Sequence, residues 1–287
     1  MKIGGHCVLY GPEIATNTEA VLNRLKTAGA EGCEIGQRFF GVEKRDELCA
    51  ALQAQNIELA GMHCNGLKLI DLVNAPEKAE EALVSVAKLL ATMPNKNIIA
   101  TGGVDLENHK EDPIANGAPD PELHDPEQVV LAAKRLNEMA RKIKEEYGVQ
   151  VHYHNHSWEF ADDGLIWFAL AEHAPCVKFA LDTGWAAVSG FDPVDLLEKY
   201  PDRFAYVHLR DYSKTENAGQ KSFGAVHAGY VDLGTGDMNY PRLMKALHKV
   251  LGADDWAIVE YEIGNFDQQS YTKAISYLRG VRDMLQA

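Results

Sequence analysis

Two patterns of hydrophobic residues alternate along this 287-residue chain. Short, mostly apolar runs are separated by longer runs in which apolar residues recur every three or four positions. The first pattern is typical of strands buried in a parallel sheet, and the second is typical of amphipathic helices that cover such a sheet. The eight predicted strands cover residues 3–9, 32–35, 58–63, 97–101, 149–154, 177–182, 204–208 and 256–260.

A predicted helix follows each strand, at residues 18–29, 44–55, 77–92, 126–146, 163–173, 192–199, 240–250 and 267–285. Residue types that favour helix N-termini begin several of them, namely Asn17 with Thr18, Asp125 with Pro126, Asp192 with Pro193, and Asn239. Eight strand–helix units predict an α/β fold, a closed (β/α)8 TIM barrel that forms a single domain over residues 1–287. The alternative is an open doubly wound sheet, but no predicted strand is followed by GxGxxG or by GxxxxGKS/T.

The connection between the fourth strand and its helix is much longer than the others. It covers residues 102–125 and is rich in Asp, Glu, Pro and Asn. Connections longer than about 12 to 15 residues are usually lids, binding loops or disordered segments. This long acidic loop is therefore predicted to be either a lid over the site or a solvent-exposed loop without such a role.

Charge and cysteine content narrow the classes of partner. The formal charge of -14 repels nucleic acid unless a basic face overrides it, and the sequence shows no such face. No apolar run is long enough to span a membrane and the first residues do not resemble a signal peptide, so no membrane association and a cytoplasmic location are expected. Five cysteines without CxxC spacing predict reduced thiols, with neither disulfides nor structural zinc.

Polar residues collect where the predicted strands end, which is where TIM barrels build their active sites. A lone histidine in such a position is usually a hydrogen-bonded structural residue. Here five of the eleven histidines gather at strand ends together with carboxylates. The residues are His6, His63, His154, His156, Asp182, His208, Glu260 and Glu262.

Side-chain alternation predicts which of these residues point into the barrel. Asp182 shares its face with Ala180, His208 with Tyr206, and Glu260 with Ile258. Imidazole and carboxylate groups converging from adjacent strands form a ligand set suited to Mn²⁺, Mg²⁺, Co²⁺ or Zn²⁺. The alternative is a buried Asp–His ion pair without a metal, although a divalent ion would offset the high energy of unpaired buried carboxylates.

Five motifs in the second half of the chain are shared with a known family. They are HNHSWEF at 154–160, LDTGW at 181–185, YVHLRD at 206–211, LGTGD at 233–237 and IVE at 258–260. In this order they resemble the xylose isomerase-like barrel family of sugar isomerases and epimerases, which includes inosose dehydratase and, more distantly, endonuclease IV. The resemblance covers the first half of the chain only loosely, and its motifs are specific for the family rather than for one substrate.

The resemblance implies one divalent metal held by four side chains at the ends of strands five to eight. Three of them would be Asp182, His208 and Glu260. Many relatives end the fifth strand in a glutamate ligand, whereas this chain has His154 there and a glutamate only at Glu159. We expect Glu159 to be the fourth ligand, because a hard ion that bridges sugar oxygens favours carboxylate, and His154 is the alternative.

The resemblance also implies that a keto-sugar chelates the metal and that a base removes the proton next to its carbonyl, giving an enediolate. The expected catalytic groups are Glu260 on one face and Glu159 or His154 on the other, with His156 as a further proton carrier. We therefore expect an enzyme, a metal-dependent isomerase or epimerase of a carbohydrate. The alternative is a dehydratase or lyase that acts on an inosose or a 3-keto glycoside through the same enediolate.

Several residues at the same rim are candidates for binding the substrate, namely His6, His63, His156, Trp158, Trp185 and Arg210. The two tryptophans offer flat faces to a sugar or pack within the rim. Arg210 anchors a substrate oxygen or pairs with Asp211. Residues 234–237 are expected to form a tight turn capped by Asp237 or Asn239 rather than a phosphate site, since Arg242 is the only basic residue close by in sequence.

Two further classes compete with the enzyme hypothesis. An endonuclease IV-like nuclease would need a basic groove and additional metal ligands, which the charge of -14 argues against. A non-catalytic sugar-binding module would not need inward carboxylates on three adjacent strands. The sequence leaves open the identity of the sugar, its phosphorylation, the native metal and whether the chain forms a homo-oligomer.

Overall fold

Eight parallel strands close into a barrel, which confirms the predicted (β/α)8 TIM barrel. The computed structural model describes residues 1–104, 121–217, 229–262 and 266–286. In chain order the strands are β1 (Lys2–His6), β2 (Gly32–Gly36), β3 (Glu58–Cys64), β4 (Asn97–Thr101), β5 (Gln150–His154), β6 (Lys178–Asp182), β7 (Phe204–Leu209), β8 (Asp211–Tyr212), β9 (Tyr230–Val231) and β10 (Trp256–Val259). Strands β8 and β9 form a small antiparallel pair, and the other eight form the barrel, with β10 between β7 and β1.

All eight predicted helices are present, seven of them with at least one end shifted and Tyr240–Val250 with the predicted bounds. They are Thr18–Thr27, Arg45–Gln55, Pro76–Leu90, Pro126–Tyr147, Ala161–His173, Pro193–Lys199, Tyr240–Val250 and Gln268–Gln286. The described part of the chain contains four further short α-helices, Glu13–Thr16, Asp71–Asn74, Thr183–Val188 and Lys214–Asn217. They were not predicted because four to six residues carry too little periodicity to be recognised. The predicted first strand is too long, since β1 ends at His6 and a 3-10 helix covers Cys7–Tyr10. Among the described residues, no helix combines the length and the apolar character that a membrane span needs.

Three of the predicted helix caps bind backbone N–H groups of the first helical turn, Asp125 that of Glu127, Asp192 that of Val194, and Asn239 that of Arg242. The side chain of Asn17 makes no such bond. Residues 105–120 of the predicted long loop lie outside the described residues. The five cysteines are all free thiols.

The barrel interior is filled by a separate apolar cluster, Ala60, Ile99, Ala180, Tyr206, Trp256 and Ile258. Three of these residues are the ones that alternation predicts to share faces with Asp182, His208 and Glu260. Trp256 packs against the backbone of Gly32, where an added Cβ would lie 2.4 Å from the indole ring. Only glycine fits there. The cluster closes the lower part of the barrel and leaves the C-terminal strand ends for polar side chains.

The strand register places these polar side chains at one level. His6 lies beside Glu34 across β1 and β2, and Asp182 lies beside His208 across β6 and β7. Glu260 follows directly on β10, which ends at Val259. The ends of the parallel strands therefore bring together residues that are far apart in sequence.

Candidate active site

Four buried side chains at the ends of β5, β6, β7 and β10 form one group. They are His154, Asp182, His208 and Glu260, each at most 4% exposed, and each offers a nitrogen or oxygen atom within 4.8 Å of those of the other three. Two imidazoles and two carboxylates suit a divalent transition metal. We call these four residues the ligand group.

Each of the two histidines uses one ring nitrogen in a hydrogen bond, and its other ring nitrogen faces Glu260. Nδ1 of His154 donates to the carbonyl of Asn155 at 2.8 Å, so a neutral His154 has its lone pair on Nε2. Nε2 of His208 donates to the carboxylate of Glu34 at 2.6 Å, so a neutral His208 has its lone pair on Nδ1.

These two nitrogens lie 3.7 Å and 2.5 Å from the same carboxylate oxygen, Oε2 of Glu260. Among the residues that the structure describes, neither that oxygen nor Nδ1 of His208 has a hydrogen-bond partner. Lone-pair atoms at such distances repel one another unless a cation lies between them. The donor set and its orientation therefore fit a divalent metal ion.

The electrostatics of the site also favour a cation. Burial opposes the charged form of Glu260, but Arg210 and His208 outweigh it and hold its pKa below its ordinary value, so the carboxyl is ionised at neutral pH. Burial lowers the pKa of His208, yet Glu34 and Glu260 raise it more, to about 10. A positive charge is thus held beside Nδ1, whether as a proton or as a metal ion.

Arg210 is buried beside the ligand group. Its guanidinium lies 2.8 Å from Asp182, 2.8 Å from Glu260 and 2.9 Å from Glu262. The expected alternative, a pair with Asp211, is wrong. Arg210 compensates only part of the negative charge of the three buried carboxylates Glu34, Asp182 and Glu260, and a divalent ion would offset the remainder.

Asp211 has a different function in the structure. Its carboxylate accepts backbone N–H groups from Tyr212, Gly234 and Gly236 at 2.9 Å and from Met238 at 3.1 Å. Gly234 has a φ of 86°, a conformation that glycine adopts without strain. Asp211 therefore fixes the predicted tight turn over residues 234–237 against the end of β7.

The structure places Glu159 outside the ligand group. Its carboxylate accepts the Tyr153 hydroxyl and the backbone N–H of His156, both at 2.8 Å. Tyr153 and His154 alternate on β5, so Tyr153 packs in the outer core while His154 faces the interior. Burial raises the pKa of Glu159 to about 8. His154 replaces Glu159 as the fifth-strand member of the group, which corrects the choice made from the sequence.

Glu34, on β2, is a buried carboxylate of this site that the sequence interpretation missed. It is fully buried, and its Oε2 accepts Nε2 of His208 and the Tyr206 hydroxyl, at 2.6 Å and 2.8 Å. Burial opposes its charge, but His208 and His6 outweigh burial and lower its pKa well below the ordinary value. The available signal was an acidic residue inside the otherwise apolar strand segment GCEIG.

A cavity of about 100 Å³ opens beside the ligand group. Among the described residues that line it are His6, His63, His154, His156, Glu260 and Glu262. The predicted substrate-binding histidines thus lie in the wall of one cavity. Arg38, an exposed residue at its edge, is the one basic side chain among the described lining residues.

Trp158 is packed within the rim. Its indole N–H donates to the carbonyl of Gly102 at 2.9 Å, and its ring stacks on His156 with centroids 4.2 Å apart. His156 in turn stacks on His154 at 4.8 Å. Burial lowers the pKa of His156 to about 3 and that of His154 well below its ordinary value, so both rings are neutral.

Trp185 is packed as well, and it is 0% exposed. Its backbone N–H donates to Oδ1 of Asp182 at 2.9 Å, which caps the helix Thr183–Val188, and its ring lies edge-on to Tyr230 at 5.3 Å. The helix start therefore orients one carboxylate of the ligand group. Of the two alternatives left by the sequence, the structure shows both tryptophans in rim packing.

The fold and this site place the protein in a defined class. The chain belongs to the xylose isomerase-like TIM barrel family, whose model matches residues 22–281. It is 26% identical over 255 residues to an inosose dehydratase from Clostridium botulinum (strain Alaska E43 / Type E3), with 85% of this chain and 82% of that protein covered.

Two solved structures share the fold. D-allulose 3-epimerase from Methylomonas sp. superposes with a TM-score of 0.71 at 15% identity and 98% coverage of each chain, and the enzyme has also been solved with D-allulose. A 3-keto-D-glucoside 4-epimerase from E. coli superposes with a TM-score of 0.67 at 17% identity, covering 98% of this chain and 99% of that one. The names of these three relatives describe one dehydratase and two epimerases.

Proposed function

We propose that this protein is a divalent-metal-dependent enzyme that epimerises or isomerises a keto-sugar by moving a proton at the carbon next to the carbonyl group. The observation that carries the proposal is the set of three atoms, Nε2 of His154, Nδ1 of His208 and Oε2 of Glu260, that face one point while each ring carries its hydrogen on the other nitrogen. Asp182 completes the set. A bound divalent ion supplies a Lewis acid that polarises the substrate carbonyl.

The proposal assigns proton transfer to carboxylates. Glu260 is ionised and lines the cavity, which suits it to accept the proton next to the carbonyl. Glu262 is the second carboxylate in the cavity wall and the candidate for the opposite face. Because ligation would occupy the lone pair of His154, that residue is assigned to binding rather than to proton transfer. Glu159 has both oxygens engaged away from the cavity and is given no catalytic role.

The cavity wall supports a neutral polyhydroxylated substrate. His6, His63, Asn65 and Thr101 give this wall a polar lining, which suits a polyhydroxylated substrate. The exposed Arg38 is the one basic residue of the described wall, fewer than the cluster that a phosphorylated substrate favours. His156 stands in the wall as a further hydrogen-bonding group.

A dehydratase acting on an inosose or a 3-keto glycoside is the second candidate. A specific observation favours it, since the fifth-strand position carries His154 instead of a carboxylate, so the site has fewer groups able to exchange protons on two faces of a substrate. One base is sufficient for removing a proton and expelling a neighbouring hydroxyl. The similarity to an inosose dehydratase supports the same candidate.

Proton exchange measured by NMR in D₂O tests the function directly. The protein, loaded with Zn²⁺, Mn²⁺ or Co²⁺, is incubated with a panel of ketoses, inososes and keto-glycosides. Deuterium at the carbon next to the carbonyl supports the proposal, and release of water identifies the dehydratase.

Chelator-treated protein and Glu260→Gln are the controls, and both should lose the exchange. A protein that binds the sugars equally well with and without metal, and exchanges no proton in any of them, would be a binding module. Metal content well below one equivalent after metal-supplemented purification would refute the metal site itself.

A further inference from the structure

Three histidines and a tyrosine share the buried carboxylate of Glu34. Oε1 lies 2.8 Å from Nδ1 of His63 and 3.1 Å from Nε2 of His6. Oε2 accepts Nε2 of His208 at 2.6 Å and the hydroxyl of Tyr206 at 2.8 Å. An ionised carboxylate can only accept hydrogen bonds, so Nδ1 of His63, Nε2 of His208 and the Tyr206 hydroxyl carry the hydrogens, whereas the contact with Nε2 of His6 is an ion-pair distance without hydrogen-bond geometry.

A neighbouring group fixes the hydrogen position of His6 independently, and the neighbour of His63 is compatible with the position that Glu34 sets. The backbone N–H of Val8 donates to Nδ1 of His6 at 2.9 Å, so the hydrogen of a neutral His6 is on Nε2, toward Glu34. The Thr101 hydroxyl lies 2.8 Å from Nε2 of His63, which accepts it because the hydrogen of His63 is on Nδ1. Both rings therefore have one consistent tautomer.

We propose that Glu34 is a positioning residue that sets the tautomers of His6, His63 and His208, so that His208 presents the lone pair of Nδ1 to the metal. The inference rests on the metal site proposed above. A carboxylate behind a ligating histidine fixes the ring orientation and raises the basicity of the ligand. Glu34 is such a carboxylate behind His208. It also contacts His6 and His63, and so connects the cavity wall to the ligand group.

The same hydrogen positions exclude a second metal ion beside Glu34. By distance alone, His6, Glu34 and His63 are close enough to hold one. A metal on Nε2 of His6 would need a lone pair there, but the lone pair is on Nδ1, where it accepts the N–H of Val8. The protein should therefore bind one divalent ion and not two.

Zinc affinity measured by chelator competition tests the proposal without any substrate. In Glu34→Gln the amide cannot accept from both pairs of donors, because its NH₂ group faces at least one other donor. Loss of such an outer partner typically weakens metal binding about 10- to 100-fold, which is the expected result.

Asp211→Asn is the matched control, since Asp211 is also a fully buried carboxylate that accepts several N–H groups but lies outside the ligand group. It should bind zinc as the wild type does. A folded Glu34→Gln protein with wild-type zinc affinity would overturn the proposal.

Imidazole ¹⁵N NMR of the zinc-loaded wild type keeps the proposal testable if Glu34→Gln does not fold. We expect His208 to be metal-bound through Nδ1 and protonated on Nε2, His6 to be protonated on Nε2, and His63 on Nδ1. Zinc bound through Nε2 of His208, or a His6 protonated on Nδ1, would refute the assignment. If the wild type binds no zinc, the metal-dependent function fails, while the tautomers of His6 and His63 still decide the role of Glu34.

Discussion

At the ends of β5, β6, β7 and β10, two histidines and two carboxylates meet with lone pairs directed at one point. At the ends of β1 to β3, two histidines and one carboxylate meet at similar distances, with a hydrogen available for each contact. The difference is set by atoms outside both groups, the carbonyl of Asn155 behind His154 and the N–H of Val8 behind His6. Interatomic distance alone does not distinguish a metal site from a cluster of hydrogen-bonded histidines. The distinction comes from the hydrogen-bond partner of the histidine nitrogen that faces away from the cluster.

The largest effect is expected when Glu260, whose Oε2 faces both histidines of the ligand group, is replaced. Glu260→Gln should lower turnover by at least about 10³-fold and weaken metal binding, because one residue serves as ligand and base. Turnover and metal content measured on one preparation check this. Glu262→Gln is the control and should keep the metal. A Glu260→Gln protein with wild-type metal content would place the cation elsewhere.

The next largest effect is expected from replacing Arg210, the buried arginine beside the ligand group. Arg210→Met removes the guanidinium that pairs with both Asp182 and Glu260, and breaking a buried ion pair in this way typically costs about 3 to 5 kcal/mol of stability. Added Zn²⁺ should restore part of it. Denaturation of the metal-free protein provides the measurement. Arg242→Met, which removes an exposed arginine paired with Asp192 and Asp195, should change stability by less than about 1 kcal/mol. Equal losses in the two variants would contradict the comparison.

The fifth strand offers a direct test between two candidate ligands. His154→Gln should weaken zinc binding by about 100-fold or more, since a direct ligand contributes more than an outer partner. Glu159→Gln should leave zinc affinity unchanged. Titration against a chelator distinguishes them, with melting temperatures recorded to confirm folding. The opposite order of effects would restore Glu159 as the ligand.

The smallest effect concerns the pH dependence of stability. The pKa of Glu159 rises from its ordinary 4.5 to about 8 on folding, so between these values the folded state holds a proton that the unfolded state has lost. The free energy of unfolding should therefore fall as pH rises through this window and level off above about 8. Glu159→Gln should remove this part of the slope in chemical denaturation between pH 5 and 8.5. Parallel profiles would show that Glu159 is ionised in the folded protein.

Much of the barrel was predictable because its signals are local. Each strand is a short apolar run, and each long helix has a periodic face, so the order of elements follows from the sequence. The inward faces of Asp182 and His208 were also predictable, because alternation within a strand decides them. The short helices and the β8–β9 pair were not, since their few residues carry no periodic signal.

The partners within the site were less predictable because they are not local. Glu34 is 172 residues from Tyr206 and 174 residues from His208 in sequence, and only strand register brings them together. The choice between His154 and Glu159 depended on the path of the chain after β5, where Trp158–Phe160 forms a 3-10 helix that carries the Glu159 carboxylate over Tyr153. The preference for an oxygen ligand pointed to Glu159, whose carboxylate lies outside the ligand group.

The Trp256 ring, packed against Gly32 inside the barrel, has a consequence for the movement of substrate and product. The interior cluster to which Trp256 belongs is at most 1% exposed, so the barrel has no passage from one end to the other. A ligand that enters at the strand ends has to leave through the same opening, and product occupies the route that the next substrate needs. Product is therefore expected to inhibit competitively against substrate. At high conversion, turnover is expected to be limited by release of product through the same opening.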